Sequence, residues 1–413
     1  MKKFHELGVP VSMRELDMRP KSLEEMAEKC MELYSGLQLY EDPSSEYTYE
    51  ERLRVMMDPL IAWYTKHARV LPWRSNPTPY WVWVSEIMLQ QTRVEAVKPY
   101  FARFMETFPT VADLAAAEDD LLMKMWEGLG YYSRARNLKK AAMVCVAEYG
   151  GSLPDTYQDL LSLPGVGSYT AGAVASIAYG RMVPAVDGNV LRVISRLGAL
   201  TEDIGKAAVK RRMEEDLRRA MEDVLGCRGQ EINYPGILNQ ALMELGACVC
   251  IPNGEPKCGQ CPWQGICLAR RNHLTDTIPV REKKKPRRVE ERTVFLVRLG
   301  ELTFLKKRPD TGLLAGLYEL PAVERYLTVQ EAREYWENVF CGRVQVLPLP
   351  GGKHIFSHVE WHMKAYEVLL EEGATATVPL RENGQDLILV TKKDLKTVYA
   401  LPSAFKAWKK FLI

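Results

Sequence analysis

The chain has 413 residues, which is enough for two or three domains with cores of their own. Its composition, 47% hydrophobic and 26% charged, is that of a globular protein, and a net charge of +2 does not by itself indicate a nucleic-acid partner. Because no apolar stretch has membrane length and the first residues lack a signal-peptide core, we expect an intracellular, cytoplasmic protein with no membrane partner.

Residues 1–52 are predicted to be an N-terminal extension. Ser22 and Glu25 have the spacing of a capping box, and an amphipathic run follows them. This pattern indicates a short helix docked on the next domain, and we assign it no function.

Residues 53–275 have a helical pattern throughout, punctuated by Gly and Pro, with almost no strand-like alternation. The pattern predicts an all-α domain of short, packed helices. The most regular segments are 54–66, 81–93, 110–126, 133–149, 169–179 and 206–225.

A basic linker is predicted over 276–292, since this run of Lys and Arg is broken by prolines. It could also lie against phosphates. From 293 to 413 the pattern changes to an α+β domain, with a β-hairpin that turns near Gly300. Further strands are predicted in 363–370 and 387–391, and helices in 332–340 and 402–412.

Five of the nine cysteines lie between 248 and 267, a crowding that favours a metal or cluster site in a reducing compartment. Zinc sites usually present two close pairs of ligands separated by a longer segment. Here the gaps are irregular, which suits the corners of an iron–sulfur cubane better. A zinc knuckle remains the alternative. The candidate ligands are Cys250, Cys258, Cys261 and Cys267.

A turn with two glycines lies between two helical segments, at Gly165, Val166 and Gly167. Such a turn presents backbone N–H groups at a helix N-terminus and can hold a phosphate without any side chain. Alone it is more often just a tight turn. Twenty residues later Asp187 stands at a predicted helix entry, so a strand of DNA held by the hairpin would lie beside a fixed carboxylate.

Several motifs occur together that, in this order, resemble those of the MutY-type adenine DNA glycosylases of the endonuclease-III superfamily. They are LPWR (71–74), SEIMLQQTRV (85–94), WEGLGYYSRARNL (126–138), LPGVGSYTAGA (163–173), VDGNV (186–190) and the four cysteines. The resemblance is dense over 53–275 and looser in the C-terminal domain. It implies a helix-hairpin-helix core with a [4Fe-4S] cluster, followed by a Nudix-like domain.

The resemblance also implies a function and an active site. The function is excision of adenine opposite 8-oxoguanine or guanine in double-stranded DNA by a monomer. Glu86 would protonate adenine N7 and later help activate water, and Asp187 would stabilise the sugar cation or bond to it transiently. The carboxylates would be supported by Tyr169 and Asn189, and the adenine pocket would contain Trp73, Arg74 and Gln240.

Two further groups of residues would contact the rest of the lesion. The gap left by the flipped adenine would be filled by Gln91, Thr92, Leu129 and Tyr131, which also contact the opposing 8-oxoguanine. In the C-terminal domain the matching residues are Phe356, Ser357 and His358. As an alternative, Phe356, Ser357 and His358 form a turn that binds no ligand. For Tyr131 the alternative is a packing role instead of insertion into the base stack.

The chemistry makes one demand on Glu86 that its local sequence meets. Cleavage of an N-glycosidic bond needs an acid for the leaving group and a carboxylate for the cationic sugar. Glu86 lies in an apolar helical stretch, VWVSEIML, where burial would raise its pKa. The alternative is an ordinary surface carboxylate. The alternative for Asp187, a helix N-cap, is compatible with catalysis.

Tyr169 occupies the position at which endonuclease-III-type enzymes have a lysine that forms a Schiff base. Without an amine there, we expect a glycosylase that leaves an abasic site without cutting the strand. The C-terminal domain lacks the acid cluster of a working Nudix pyrophosphatase. Two other functions remain as alternatives: a glycosylase for oxidised pyrimidines, and an iron–sulfur protein that binds DNA without catalysis.

The chain departs from the family pattern at the first cysteine gap, which has seven residues instead of six. Cys248 is therefore a second candidate for the first ligand. We favour Cys250, because Cys248 would leave a gap of nine residues.

Overall fold

The computed structural model describes residues 47–229, 231–282, 286–340, 342–370, 381–382 and 385–412. The predicted capping box at Ser22 and Glu25 lies outside them. The described chain forms two compact units. The first contains 47–105, 110–112 and 140–282, and the second contains 106–109, 113–139 and the described residues from 286 onward.

The N-terminal two thirds of the described chain are helical, as predicted. The helices are α1 (Tyr49–Val55), α2 (Met57–His67), α3 (Pro72–Ser75), α4 (Pro79–Leu89), α5 (Val94–Thr107), α6 (Val111–Ala115), α7 (Asp119–Trp126), α8 (Ser133–Glu148), α9 (Tyr157–Ser162), α10 (Ser168–Ile177), α11 (Gly188–Gly198), α12 (Ala207–Leu225), α13 (Tyr234–Cys248) and α14 (Leu268–Arg271). The single helix predicted over 110–126 is in fact two helices, because Glu118 has an extended backbone that begins α7 anew.

The first unit has an apolar core to which α2, α11, α12 and α13 contribute. Its fully buried side chains include Leu60, Ile194, Leu217 and Leu238. The charged face of α12 lies outside this core, as expected for an amphipathic helix. Within this unit, α4, α10, α11 and α13 carry Glu86, Tyr169, Asn189 and Gln240.

The second unit contains a mixed sheet. The strands are β1 (Arg288–Leu299), β2 (Leu302–Lys307), β3 (Tyr318–Glu319), β4 (Ala322–Val323), β5 (Val344–Ile355), β6 (Val359–Leu370), β7 (Arg381–Glu382) and β8 (Gln385–Val390). They follow the order β5-β6-β1-β2-β8-β7, in which β1 and β6 are parallel. The helices of this part are α15 (Val329–Phe340), α16 (Lys392–Thr397) and α17 (Lys409–Leu412), with a 3₁₀ helix at Ser403–Trp408.

Both faces of the sheet are covered, which explains the continuous apolar run in β1. Val294 and Leu296 pack with Trp408 on one face, while Phe295 and Val297 pack with Trp336 on the other. Successive side chains of a strand point to opposite faces, so alternate residues of this apolar run pack into two different apolar clusters. The predicted hairpin near Gly300 is confirmed, since β1 pairs with β2 through Leu299 and Leu302.

The basic segment differs from the predicted linker at its end. Residues 288–292 belong to β1 and pair with β6 from Val359 onward. Arg292 is buried, and its guanidinium carbon lies 4.0 Å from the centre of the Trp361 ring. The parallel pairing provides hydrogen-bond partners for the backbone of this segment, and the Trp361 ring packs against the charged guanidinium of Arg292.

Candidate active site

Glu86 lies on α4, a helix that is buried on nearly all sides. The helix begins at Pro79 behind Thr78, whose hydroxyl accepts a hydrogen bond from the Trp81 N–H at 3.3 Å. Pro at the first helical position needs no donor, so both residues favour this start. Glu86 is only 6% exposed, which agrees with the burial predicted from its apolar neighbours.

The pKa of Glu86 is raised from 4.5 to about 7, chiefly because burial disfavours the charged form. The hydroxyl of Tyr169, which donates a hydrogen bond to Oε2 of Glu86, opposes this shift. The negative charge of Asp187 raises the pKa further, and the positive charge of Arg74 lowers it. A carboxyl group with a pKa near 7 is half protonated at neutral pH and can donate a proton.

Asp187 is the N-cap of α11, as its sequence context predicts. Its Oδ1 accepts hydrogen bonds from the N–H groups of Asn189 and Val190, each at 2.8 Å. Its Oδ2 accepts a third, from Nδ2 of Asn189 at 2.7 Å. Burial raises the pKa of Asp187, and these hydrogen bonds oppose that shift. The N-terminal end of the helix also favours a negative charge there.

Tyr169, in the first turn of α10, contacts Glu86. Its hydroxyl donates to Glu86 and lies 3.6 Å from the sulfur of Met243. Burial raises the pKa of Tyr169, and the charges of Glu86 and Asp187 add to the shift, so the phenol stays neutral. Close approach of α10 to the segment before Asp187 requires Gly172, since a Cβ there would collide with the carbonyl oxygen of Pro184.

Arg192 connects Asn189 to the backbone of the cysteine segment. Its Nη2 donates to Oδ1 of Asn189 at 2.9 Å and to the carbonyl oxygen of Gly246 at 2.7 Å. Its Nε donates to the carbonyl oxygen of Cys250 at 2.9 Å. Asp187, Asn189, Arg192 and Cys250 therefore form one chain of contacts, which the sequence analysis did not identify.

Glu244 is a second residue that the sequence analysis missed. Its side chain is 1% exposed and accepts from Nη2 of Arg74 at 2.8 Å and from Nε of Arg69 at 2.6 Å. Burial raises the pKa of Glu244, but the two arginines more than offset this and hold it at about 2. Glu244 follows Gln240 by four residues on α13, so the two lie on the same face of the helix, and this spacing could have identified it.

The amide of Gln240 is held by two contacts. Its Oε1 accepts from the hydroxyl of Tyr64 at 3.2 Å, and its Nε2 donates to the carbonyl oxygen of Gly236 at 3.3 Å. The guanidinium of Arg74 lies 5.4 Å from the centre of the Tyr64 ring. Arg74 and Gln240 thus contact the same tyrosine. Trp73 is 5% exposed and packs edge-on against Phe101.

The predicted backbone hairpin has the expected geometry. Gly165 has a φ of +76°, a conformation that favours glycine, and the Val166 N–H donates to the carbonyl oxygen of Leu163 at 3.1 Å. The Val166 side chain is buried, whereas Gly165 and Gly167 are exposed. Gly167 is the N-cap of α10, and a Cβ there would meet no other atom within 4 Å. The turn thus presents backbone, not side chains.

Gln91 follows α4 with a φ of +58°, a conformation that is rare for residues other than glycine. It is exposed, and Thr92 beside it is partly buried. The Thr92 N–H donates to the carbonyl oxygen of Leu89 at 3.1 Å. Unusual backbone of this kind occurs preferentially at binding sites.

Residues 128–131, here called the tip loop, connect α7 and α8. Gly128, Gly130 and Tyr131 have φ angles of +106°, +70° and +48°. Tyr131 is 48% exposed, whereas Leu129 is 7% exposed. Of the two tip-loop residues predicted to fill the gap in the base stack, only Tyr131 therefore presents its side chain on the surface of its unit.

The turn between β5 and β6 carries Phe356, Ser357 and His358. The Phe356 ring packs edge-on against His354 and Trp361, with centroids 4.5 and 4.8 Å away. Ser357 and His358 are exposed. The hydroxyl oxygen of Ser357 lies 3.3 Å from that of Tyr131, within the same unit.

The four predicted cysteine ligands line one cavity, whose walls also include Arg196 and Trp263. Nη1 of Arg196 lies 3.3 Å from Sγ of Cys250, and the Trp263 N–H donates to Sγ of Cys261 at 3.4 Å. Burial raises the pKa of three of the thiols, those of Cys258, Cys261 and Cys267.

The neighbouring thiol of Cys248 lies in a different environment. Its sulfur donates to Oε1 of Glu244 at 3.7 Å, and it is not among the residues that line the cavity. Over the described ranges, no three His, Cys, Asp or Glu side chains converge on a position for a single metal ion. The helices in those ranges also include none with the length and hydropathy of a membrane span.

Two family models match the chain. The HhH-GPD superfamily of base excision DNA repair proteins matches residues 84–219, and the NUDIX domain matches residues 293–410. The first match covers Glu86, Tyr169 and Asp187. Together with the observed helices and mixed sheet, the two matches confirm the predicted helix-hairpin-helix core and Nudix-like domain.

Curated relatives are similar over most of the chain. The adenine DNA glycosylase of Mus musculus is 33% identical over 87% of this chain and 79% of its own. Those of Rattus norvegicus and Homo sapiens are each 34% identical over 78% of this chain, and the alignments cover 72% and 68% of the relatives. The chain therefore belongs to the adenine DNA glycosylase family, within the HhH-GPD base excision DNA repair superfamily.

Proposed function

We propose that the protein hydrolyses the N-glycosidic bond of adenine paired with 8-oxoguanine or guanine in double-stranded DNA, and leaves an abasic site. The observation that carries this proposal is the pair of carboxyl groups, the buried Glu86 with a pKa of about 7 and the half-buried Asp187 held by three hydrogen bonds. One is poised to give a proton and the other keeps its oxygens fixed, which are the two functions that glycosidic cleavage needs.

Glu86 donates its proton to N7 of the adenine, so that the base can leave with the electron pair of the bond between C1′ and N9. The sugar becomes cationic, and the carboxylate of Asp187 stabilises it. Water then attacks C1′ and transfers a proton to the carboxylate of Glu86, which restores the starting state. Tyr169 and Asn189 orient the two acids through the hydrogen bonds described above.

The adenine must leave the base stack before this reaction. In the proposed complex Arg74 and Gln240 contact the polar edge of the flipped adenine, and Trp73 forms part of the wall of the pocket. Glu244 joins this set because it bonds Arg74. The glycine turn at 165–167 binds the backbone phosphate through N–H groups other than that of Val166, which bonds Leu163.

Two segments, one in each unit, carry exposed side chains that are candidates to enter the base stack. Gln91 and Tyr131 both have left-handed backbones and exposed side chains. We assign Thr92 to the DNA-contacting segment of Gln91 and Leu129 to that of Tyr131, and Phe356, Ser357 and His358 to recognition of the 8-oxoguanine. The 3.3 Å contact of Ser357 with Tyr131 supports the assignment of both residues to one surface.

The cysteine cavity fits a [4Fe-4S] cluster. Four sulfur donors surround a cavity instead of converging on one point, and the guanidinium of Arg196 can offset negative charge on the sulfurs. Cys250, Cys258, Cys261 and Cys267 would hold the cluster. When bound, it would crosslink the segment between α13 and α14 as a structural element.

An incubation with three duplexes tests the proposed function. They carry adenine opposite 8-oxoguanine, adenine opposite guanine, and thymine glycol, with an undamaged duplex as control. We expect release of free adenine from the first two, and strand cleavage only after alkali. Release of thymine glycol with borohydride trapping would favour the pyrimidine glycosylase, and no release from any duplex would favour the DNA-binding protein without catalysis.

A further inference from the structure

Arg134, at the start of α8, lies beneath the tip loop and is 9% exposed. Its Nη2 donates to two successive carbonyl oxygens of the loop, those of Leu129 at 3.1 Å and of Gly130 at 3.0 Å. Its backbone N–H donates to the carbonyl oxygen of Tyr131 at 2.9 Å. Three consecutive carbonyl groups of the loop are thus bonded to this one residue.

Aromatic side chains complete the arrangement around the guanidinium. It lies 5.3 Å from the centre of the fully buried Trp126 ring and 5.7 Å from that of Tyr131. The indole N–H of Trp126 donates to the carbonyl oxygen of Gly130 at 3.1 Å. Burial lowers the pKa of Arg134 to about 10, which still leaves it charged at neutral pH.

The loop needs such support because its backbone is otherwise unfavourable. Tyr131 has a φ of +48°, which is unfavourable for a residue with a side chain, whereas the glycines on either side of Leu129 adopt positive φ without that cost. Two carbonyl groups point at the guanidinium, and without it they would lose a charge-assisted partner. Lysine would keep the charge but replace the planar guanidinium by a compact ammonium, which changes the contacts with both aromatic rings.

We propose that Arg134 is a positioning residue that holds the tip loop, with Tyr131 at its end, in one shape before DNA binds. This inference rests on the proposed insertion of Tyr131 into the base stack. Because a loop that is already ordered loses less entropy on binding, Arg134 acts on the affinity for the lesion. We therefore expect the binding step to depend on Arg134, and not the bond cleavage by Glu86 and Asp187 that follows.

The test compares Arg134→Lys and Arg134→Met with Tyr131→Ala, and with Arg219→Lys as a control on the exposed face of α12. Hydrogen exchange of the DNA-free protein is measured first. We expect hydrogen exchange in the tip loop to accelerate about tenfold or more in both Arg134 variants, because the free energy of local opening is lowered. Hydrogen exchange in α10 and α13 should stay unchanged in both Arg134 variants. This result would show that the variants are folded.

Single-turnover excision is then measured over a range of enzyme concentrations. For both Arg134 variants the concentration that gives half the maximum rate should rise about tenfold, a typical cost of lost charge-assisted hydrogen bonds. The maximum rate should stay within about twofold and its pH profile should not move. Unchanged exchange in the tip loop, or a lowered maximum rate with unchanged half-saturation, would overturn the inference.

The insertion of Tyr131 into the base stack and the ordering of the tip loop by Arg134 can be disproved separately. If Tyr131→Ala leaves half-saturation unchanged while the Arg134 variants loosen the loop, the insertion of Tyr131 is wrong and the ordering by Arg134 stands. If neither Arg134 variant folds, Trp126→Phe removes one donor from the same carbonyl group of Gly130. That variant should accelerate exchange in the tip loop to a smaller extent, and an unchanged loop would again contradict the inference.

Discussion

The hydroxyl group of Tyr131 lies 3.3 Å from that of Ser357, although 226 positions separate the two residues in the chain. Both residues are exposed on the second unit. In the proposed function one fills the gap in the base stack and the other contacts the oxidised guanine. Their contact means that the two recognition elements are joined within one unit of the protein.

The first prediction concerns recognition of the opposing base. Ser357→Ala should lower the preference for 8-oxoguanine over guanine opposite adenine by about three- to tenfold, the loss expected for one hydrogen bond. The measurement is the ratio of single-turnover excision rates on the two duplexes. Ser403→Ala, at an exposed serine of the same unit, is the matched control. A ratio equal to that of the unmodified protein would reject the assignment of Ser357.

The second prediction concerns the acid. Glu86→Gln should abolish adenine excision, because the amide has no proton to give. In the unmodified protein the rate should fall as the pH rises through about 7, where the carboxyl group loses its proton. A rate that stays level from pH 6 to pH 9 would argue against Glu86 as the acid.

The same substitution should change stability with a defined sign. Below pH 4.5 the carboxyl is protonated in both folded and unfolded chains, and between 4.5 and about 7 only the folded chain keeps the proton. Stability therefore decreases over this window, and above pH 7 the full penalty remains. Glu86→Gln should remove this penalty, which amounts to about 3 kcal/mol. Thermal unfolding at pH 8 and pH 4.5 should show stabilisation at the higher pH only.

The third prediction uses the contact between Tyr169 and Glu86. Tyr169→Phe removes a hydrogen bond that stabilises the charged carboxylate, so the pKa of Glu86 should rise further. The alkaline limb of the pH–rate profile should move up by about one pH unit, as expected for a bond to a charged group. The control is Tyr100→Phe, which changes a partly buried tyrosine on α5. A limb that stays in place or moves down would contradict this arrangement.

The fourth prediction separates the two candidates for the first cluster ligand. Cys250→Ser should lower the iron content of the purified protein and its visible absorbance, whereas Cys248→Ser should leave both unchanged. The reason is that Cys250 lines the cavity, while Cys248 bonds Glu244 outside it. Equal loss of iron in the two variants would show that the assignment of Cys250 is wrong.

The fifth prediction concerns Arg192, which is 6% exposed and bonds Asn189, Gly246 and Cys250. Arg192→Met should lower the maximum excision rate about tenfold or more, because Asn189 loses a charge-assisted bond and no longer orients Asp187. The exposed Arg212, replaced by Met in the same way, serves as the control. Full activity of the Arg192 variant would show that the chain of contacts does not support catalysis.

The sequence alone determined those features that depend on neighbours along the chain. The capping of α11 by Asp187 joins residues two and three positions apart, and the burial of Glu86 follows from the apolar side chains around it. The hairpin at Gly300 depends likewise on a short turn between two strand-like runs. Local propensity and periodicity are sufficient for such contacts.

Tertiary structure decided which distant residues meet. Tyr169 bonds Glu86 across 83 positions and Arg74 bonds Glu244 across 170, and neither pairing follows from local pattern. The same holds for the pairing of the basic segment with β6 and for the cavity that excludes Cys248. Such contacts arise only when helices and strands pack. The raised pKa of Glu86 also depends on tertiary structure, because the charge of Asp187 and the packing that completes the burial come from residues distant in the chain.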